Sequence, residues 1–312
     1  MSSLRLTVLL FALPISSLAA QQSETGPIVL SLGGSTRALG LGGTYPSFSP
    51  DADAIFYNPA LLQSAAGLSL GTQLWGSNGQ LYTFAGTNGA GFGAGVQFLD
   101  YELLPGVPVN IGSPFGLSEG GGRSAGEWNA SAGYARTFFR RLRVGAAAKV
   151  TRHLGADQSA GIVAVDVGAA YNPFNWLNLS LAVQNLGSTL EFNGTEYDLP
   201  SRVALTAATR SRALGELDVS LVARASAGPN DDFTAGLGAE LGYWPFSGLN
   251  FYLRGGFRAA TGEYRAPGLA GPIEELPFAM GGGVSWRRFS IDYALEPYRN
   301  ADSGHRIGVR VR

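Results

Sequence analysis

Leu249-Asn250-Phe251-Tyr252-Leu253-Arg254-Gly255-Gly256-Phe257-Arg258 is the stretch that decides the fold. Leu249, Phe251, Leu253 and Phe257 alternate with Asn250, Tyr252, Arg254 and Arg258. A period of two puts the first set on one face of a β-strand and the second on the other. One face is greasy and the other carries charge. A soluble sheet would turn the greasy face to a core; a barrel in lipid turns it to acyl chains and lines its lumen with the polar face. The same alternation recurs through most of the chain.

From Gly67 onward the sequence divides into about fourteen alternating segments, the pattern of an all-β, transmembrane antiparallel β-barrel. The predicted strands are 67–75, 80–87, 90–103, 126–138, 141–153, 158–171, 176–186, 201–210, 215–225, 232–243, 248–259, 277–286, 289–298 and 304–312. Leu177, Leu179, Leu181, Val183, Leu217, Leu221, Phe233, Leu237, Phe289, Ile291, Ile307 and Val309 are expected to face lipid. The charged residues expected in the lumen are Lys149, Arg202, Asp218, Arg224, Glu240, Arg254, Asp292 and Glu296, with Arg306 and Arg310 on the same face of the last strand. Both signs occur, so the lumen is expected to hold ion pairs rather than a field of one sign.

Loop lengths test this reading. With the N-terminus on the inner side, odd connections face outward and even ones inward, and barrels of this kind pair long outer loops with short inner turns. The longest connections, 104–125, 187–200 and 260–276, are the third, seventh and eleventh. The even ones are short, among them Asn88-Gly89, Phe139-Arg140 and Arg287-Arg288. Trp176, Trp244 and Trp286 stand beside inner turns, where an interfacial aromatic girdle belongs. A soluble sandwich or propeller also alternates, but neither accounts for this parity.

Residues 1–20 read as a signal peptide: Arg5 precedes the apolar run Leu6–Leu13, which is too short to span a bilayer, and Ser17-Leu18-Ala19-Ala20 offers small residues for cleavage. Without a cysteine after that run, no lipoprotein anchor is expected. The intervening segment 21–65 is glycine-rich and lacks clean alternation, which predicts compact coil and a short helix.

Composition narrows the function classes. The chain holds 45 glycines and no cysteine in 312 residues, 14% of which are charged, with a net charge of −1. Glycine suits curved strands and tight turns. The absence of cysteine removes disulfides and thiolate metal sites. Neither charge balance nor pattern offers a basic stripe for nucleic acid. His153 and His305 are the two histidines, with no metal-binding spacing between them. No catalytic motif, cofactor motif or metal site is expected. Gly120-Gly121-Gly122 and Gly281-Gly282-Gly283 fall in a loop and a strand, the wrong context for phosphate loops.

Arg37-Ala38-Leu39-Gly40-Leu41-Gly42-Gly43-Thr44, followed by Asp51-Ala52-Asp53-Ala54-Ile55-Phe56-Tyr57-Asn58-Pro59-Ala60, resembles the opening of the PorV/PorQ family, itself similar to the FadL-type transporters of hydrophobic compounds. Gln184-Asn185-Leu186-Gly187, Leu199-Pro200-Ser201-Arg202, Leu253–Arg258, Asp292-Tyr293-Ala294 and His305-Arg306 extend the likeness over nearly the whole chain. The resemblance implies fourteen strands in the bacterial outer membrane, residues 66–312, with 21–65 folded into the lumen as a hatch. Its motif is Asp51, Asp53, Asn58, Pro59 and Ala60. Asp51 and Asp53 are expected to pair with lumen arginines such as Arg202, Arg224 or Arg254, and Asn58 and Pro59 to fix a turn. The chain departs from outer-membrane barrels in ending Val309-Arg310-Val311-Arg312, without a terminal aromatic.

Two functions follow. The PorV/PorQ likeness implies a partner in type IX-like secretion, contacting a translocon or cargo protein through outer-loop residues such as Leu104, Val107, Phe115, Leu117, Leu269 and Ile273. The FadL likeness implies a passive channel for hydrophobic molecules, with a ligand or detergent in the lumen. In that family a strand bend opens a side exit to the membrane, and this chain's third strand carries the glycines for one. Gly89, Gly91, Gly93 and Gly95 would permit one, or would simply make room for the hatch. A purely structural barrel stays open as a third reading.

Overall fold

In the computed structural model, residues 26–75, 79–102, 124–154, 159–192, 194–229, 232–260, 276–299 and 302–312 are described. The signal-peptide expectation and the six outer-loop contact residues, Leu104, Val107, Phe115, Leu117, Leu269 and Ile273, lie outside them.

Fourteen antiparallel strands close into one barrel. They are β1 Gly67–Trp75, β2 Gly79–Thr87, β3 Phe92–Glu102, β4 Ser124–Phe138, β5 Leu142–Leu154, β6 Ser159–Phe174, β7 Leu177–Gly187, β8 Arg202–Thr209, β9 Leu217–Ala227, β10 Phe233–Phe246, β11 Leu249–Ala260, β12 Phe278–Trp286, β13 Phe289–Glu296 and β14 Gly304–Val311. Each pairs with its sequence neighbour, and β1 closes on β14 from Leu68 opposite Val311 to Leu74 opposite His305. Closure leaves no strand edge unpaired, the condition for a sheet in hydrocarbon. A three-residue strand, Arg212–Leu214, prolongs the inner end of the β8–β9 hairpin, and Leu190–Phe192 with Thr195–Tyr197 form a small hairpin in the seventh connection.

The period-two pattern sorts the side chains. Leu237, Leu253 and Ile291 are 60–64% exposed on the outer surface. On the opposite face of the same strands, Glu240, Arg254 and Asp292 are buried inside. Such a surface around a polar interior is the inverse of a soluble protein's and suits a hydrocarbon solvent. Trp176, Trp244 and Trp286 are exposed beside the inner turns, and Arg212 and Arg287 lie over the rings of Trp176 and Trp286. No helix among the described residues is long and apolar enough to cross a membrane.

Residues 26–66 fill the lumen. They fold as the short helix Thr36–Gly40 and the 3-10 turns Ile28–Leu30, Ala52–Phe56 and Pro59–Gln63. The wall makes room through its glycines. A side chain at Gly256 would strike the backbone of Leu41, and one at Gly281 would meet the Cα of Gly40.

The glycines near β3 serve the same end. Gly93 and Gly95 face Leu62 and Phe56 of the lumen segment. Gly89 and Gly91 belong to the preceding turn, with φ of +70° and +97°, rather than to the strand face expected for them. β3 pairs with β2 and β4 without interruption, so no bend opens the wall there. Irregular register lies elsewhere, between Val165 and Val167 of β6 and between Tyr243 and Phe246 of β10.

Candidate functional site

The site is the seat of the lumen segment, hereafter the hatch. Asn58 illustrates its local logic. Its Oδ1 accepts from the Ala60 amide at 2.9 Å, capping the turn that Pro59 opens. Pro59 lacks an amide hydrogen, so it leaves none unpaired at that first position. The other end of the Asn58 amide donates to the carbonyl of Leu181 on β7 at 3.1 Å. One side chain thus shapes the hatch and ties it to the wall.

The main anchor is a closed ring of alternating charge. Arg37 meets Glu240 at 2.6 Å, and Glu240 meets Arg254 at 2.6 Å. Arg254 meets Asp292 at 2.6 Å, and Asp292 meets Arg310 at 2.7 Å. Arg310 meets Asp51 at 2.6 Å, and Asp51 lies 3.6 Å from Arg37. The hatch supplies Arg37 and Asp51; β10, β11, β13 and β14 supply the rest. Every member is buried or nearly so, where an unpaired charge would be costly.

Asp51 also pairs with Arg312. Burial works against its charge, but Arg310, Arg312 and Arg37 outweigh it and hold the carboxyl well below the usual carboxylate range. For Arg37, burial also opposes charge, and Glu240 and Asp51 outweigh it, holding the guanidinium above its ordinary value.

These partners correct the expected ones. Asp51 forms a parallel bridge to Ala66, directly before β1, and β1 pairs with the end of β14. Chain connectivity therefore delivers Asp51 to Arg310 and Arg312, far around the wall from Arg202 and Arg224. Arg254 is occupied by Glu240 and Asp292.

Asp53 differs from Asp51. It accepts from Tyr45 Oη at 2.9 Å, and Tyr45 stacks on Tyr57 at 4.5 Å. Burial first, and the neighbouring Asp51 second, push its carboxyl up to about 6. Burial also raises Tyr45, and it pushes Tyr57 up to about 12. Both phenols therefore stay protonated at neutral pH; Tyr45 donates to Asp53, and Tyr57 accepts from the Ser35 amide at 3.1 Å.

Further anchors distribute the load. Arg306 is fully buried and donates to the carbonyls of Gly33 and Gly34 at 2.7 and 2.5 Å, and to Thr83 Oγ1 at 2.8 Å. Glu127 accepts from the Val29 amide at 2.7 Å and meets His153 at 3.0 Å. Gln184 donates to the Phe56 carbonyl at 2.9 Å. At the β6–β7 irregularity Asn185 takes φ of +58°, donates its amide to Asp166 at 2.7 Å and accepts from Lys149 at 2.7 Å. Its side chain donates to the carbonyls of Leu30 and Pro200.

All eight expected lumen charges lie on the inner face. Glu240, Arg254 and Asp292 are in the ring, Lys149 pairs with Asp166 at 2.7 Å, and Glu296 pairs with Arg258 at 2.9 Å. Asp218 is buried toward the inner end, and Arg202 and Arg224 sit on β8 and β9. Arg37, Asp166 and Glu127 were not singled out from the sequence. Strand parity marks Asp166, because Val163, Val165 and Val167 face out.

At its outer end the hatch is apolar. Ile28, Val29 and Leu30 pack with Leu81, Leu99 and Ile162 of the wall and Leu190 and Leu199 of the seventh connection. Between hatch and wall lies a cavity of about 10 Å³ lined by Tyr45, Ser47, Tyr57, Asn58, Thr206 and Arg224, room for about one water. Among the described residues no cluster of histidine, aspartate or glutamate is arranged to hold a metal.

No protein-family model matches the sequence, and no curated protein does. Solved structures do. The toluene transporter TbuX of Ralstonia pickettii matches with a TM-score of 0.56 at 14% identity, covering 91% of this chain and 100% of that one. The fold is that of the FadL-like outer-membrane barrels. The toluene transporter TodX of Pseudomonas putida matches at 0.55 with 12% identity, covering 90% and 97%. A FadL homologue of Pseudomonas aeruginosa matches at 0.54 with 9% identity, covering 92% and 98%. At such identities the likeness is one of fold. The resemblance to PorV/PorQ rests on sequence motifs alone.

Proposed function

We infer that the protein is a hatch-gated passive channel for hydrophobic small molecules in the bacterial outer membrane. The observation that carries this reading is the way the hatch is held: by ion pairs, hydrogen bonds and glycine-cleared contacts, all reversible, inside a barrel whose fold is shared with hydrocarbon transporters. Among the described residues the seated hatch packs against the wall beside a water-sized cavity, so passage requires displacement, with Ile28–Leu30 vacating an apolar pocket at the outer end. Hydrophobic ligand, lipid and detergent are the partners this reading takes. No cofactor takes part, and the reading involves no catalysis.

The test uses the chain's lack of cysteine. Paired cysteines at Leu62 of the hatch and Gly93 of β3, where the leucine methyl now occupies the space of a Gly93 side chain, are oxidised to lock the hatch. Uptake of a radiolabelled monoaromatic hydrocarbon into liposomes is expected to stop on oxidation and return on reduction. Uptake indifferent to the lock, or absent in the reduced protein, would overturn the reading.

The closed lumen also favours a second reading, the type IX-like secretion partner implied by the PorV/PorQ motifs, because a protein working through its outer surface needs no open pore. In that case the locked barrel still captures a translocon or cargo protein from native membranes, and it loses them when 104–125 or 260–276 is shortened.

A further inference from the structure

Arg224, with Arg202 acting on it, is a lumen cation that has no carboxylate partner among the described residues. Lys149 has Asp166, Arg258 has Glu296, and Arg37, Arg254 and Arg310 share the ring. Arg306 is saturated by carbonyls and hydroxyls. Among the described residues Arg224 makes a single long bond, from Nη1 to the Gly43 carbonyl at 3.4 Å. Its Nε is sealed from solvent and has no acceptor. The cations Arg202 and Arg258 act on it with the same sign.

A guanidinium cannot shed its proton to escape burial. Arg224 is half-buried, but its sealed Nε still calls for an acceptor. On the hatch side of the same cavity lies Ser47, 1% exposed, whose Oγ also lacks a partner. Two orphaned groups, each able to donate a hydrogen bond, therefore line one small void, with the Asn58 amide and the Thr206 hydroxyl beside them. The complementary occupant accepts hydrogen bonds and is negative. The void, about 10 Å³, holds one particle of about water size. That shuts out carboxylate and phosphate groups; a water would satisfy the donors but not the charge, whereas a monatomic halide, slightly larger, satisfies both.

We propose that a chloride ion binds between Arg224 of β9 and Ser47 of the hatch. It neutralises the uncompensated guanidinium and fastens the hatch to β9, the strand beside the one that carries Glu240 of the ring. Anion binding and hatch seating are then linked: whatever stabilises the bound ion stabilises the closed state. The inference stands whether the barrel transports hydrocarbons or receives protein partners.

The test is twofold and uses the full chain. In crystals grown with sodium bromide, an anomalous peak is expected beside Arg224 Nε and Ser47 Oγ. In detergent, the protein is expected to melt at a higher temperature in sodium chloride than in sodium gluconate of equal ionic strength, with a saturable dependence on chloride. R224Q should abolish the difference. S47A, which keeps the charge and removes one donor, should raise the half-saturating chloride concentration about tenfold. A cavity without bromide, or identical melting in chloride and gluconate, overturns the proposal, as does chloride dependence unchanged in both variants.

Discussion

Asp51 and Arg310 stand 259 positions apart in sequence and 2.6 Å apart in space. Their contact joins the hatch to the last strand of the barrel, so the wall must be complete before the hatch can lock. Asp51→Ala removes the shared partner of Arg310, Arg312 and Arg37. Breaking one member out of a buried pair typically costs about 3–5 kcal/mol. The variant should keep its barrel, with unchanged β-sheet circular dichroism and heat-modifiable migration, while the hatch becomes open to proteolysis and conductance in planar bilayers rises. Protection and conductance matching the unmutated protein would remove Asp51 from the latch.

Asp53 acts in the opposite sense. The sequence alone points to Asp53→Ala as a loosening change, on the expectation of an arginine partner. The structure instead places Asp53 beside Asp51, with its carboxyl raised from 3.8 to about 6. A carboxyl whose pKa is higher in the seated hatch than in the released one favours seating when protonated. That contribution is full below about 3.8 and disappears as pH rises through about 6. Asp51, shifted downward, keeps its contribution throughout this window and loses it only at lower pH. The hatch should therefore be tighter at pH 5 than at pH 7.5. Asp53→Asn should be tight at both, read by the proteolysis rate of the hatch. A hatch that loosens on acidification from pH 7.5 to 5 contradicts this assignment.

Lys149 and Asp166 meet at 2.7 Å where β6 and β7 lose their regular register. Lys149→Met leaves Asp166 buried without its cation and should destabilise the barrel by about 3–5 kcal/mol in urea titrations in lipid vesicles. Lys149→Met combined with Asp166→Leu should recover most of that loss, since a buried pair can often be replaced by apolar residues. A double variant as unstable as the sum of the single changes would show that the pair does more than neutralise itself, for instance by holding Asn185 in its left-handed conformation.

The barrel was legible because its code is local. Phe251 against Arg254, or Val163 against Asp166, needs only the two-residue period, and parity of loop lengths follows from counting. The hatch was legible as a segment without that period. Its partners were not, because they depend on where the chain delivers it: the bridge from Asp51 to Ala66 decides that Arg310, rather than Arg224, is within reach. The left-handed Asn185 looks in sequence like one more polar residue of a strand. The isolation of Arg224 is a property of what does not surround it, and no pattern along the chain records that.

The solvent of the outer face can itself be tested at Leu221, 54% exposed on β9 and opposite Ala239 of β10. Leu221 lies between the inner turn that follows β8 and the outer end of β9, well inside the apolar band. Replacing it by arginine changes nothing in the hatch, the ring or the lumen. If water bathes this face, Leu221→Arg should be close to neutral, as surface substitutions usually are. If hydrocarbon does, a charge near the bilayer midplane should cost about 2–4 kcal/mol. The measurement is reversible urea unfolding in phosphatidylcholine vesicles, with Leu214→Arg at the inner tip of the β8–β9 hairpin as a control near the interface. We expect Leu221→Arg to be destabilising by that amount and Leu214→Arg by about 1 kcal/mol or less. Equal, negligible effects at both positions would mean that this surface does not meet lipid, and the outward-facing leucines would then need a protein partner to cover them.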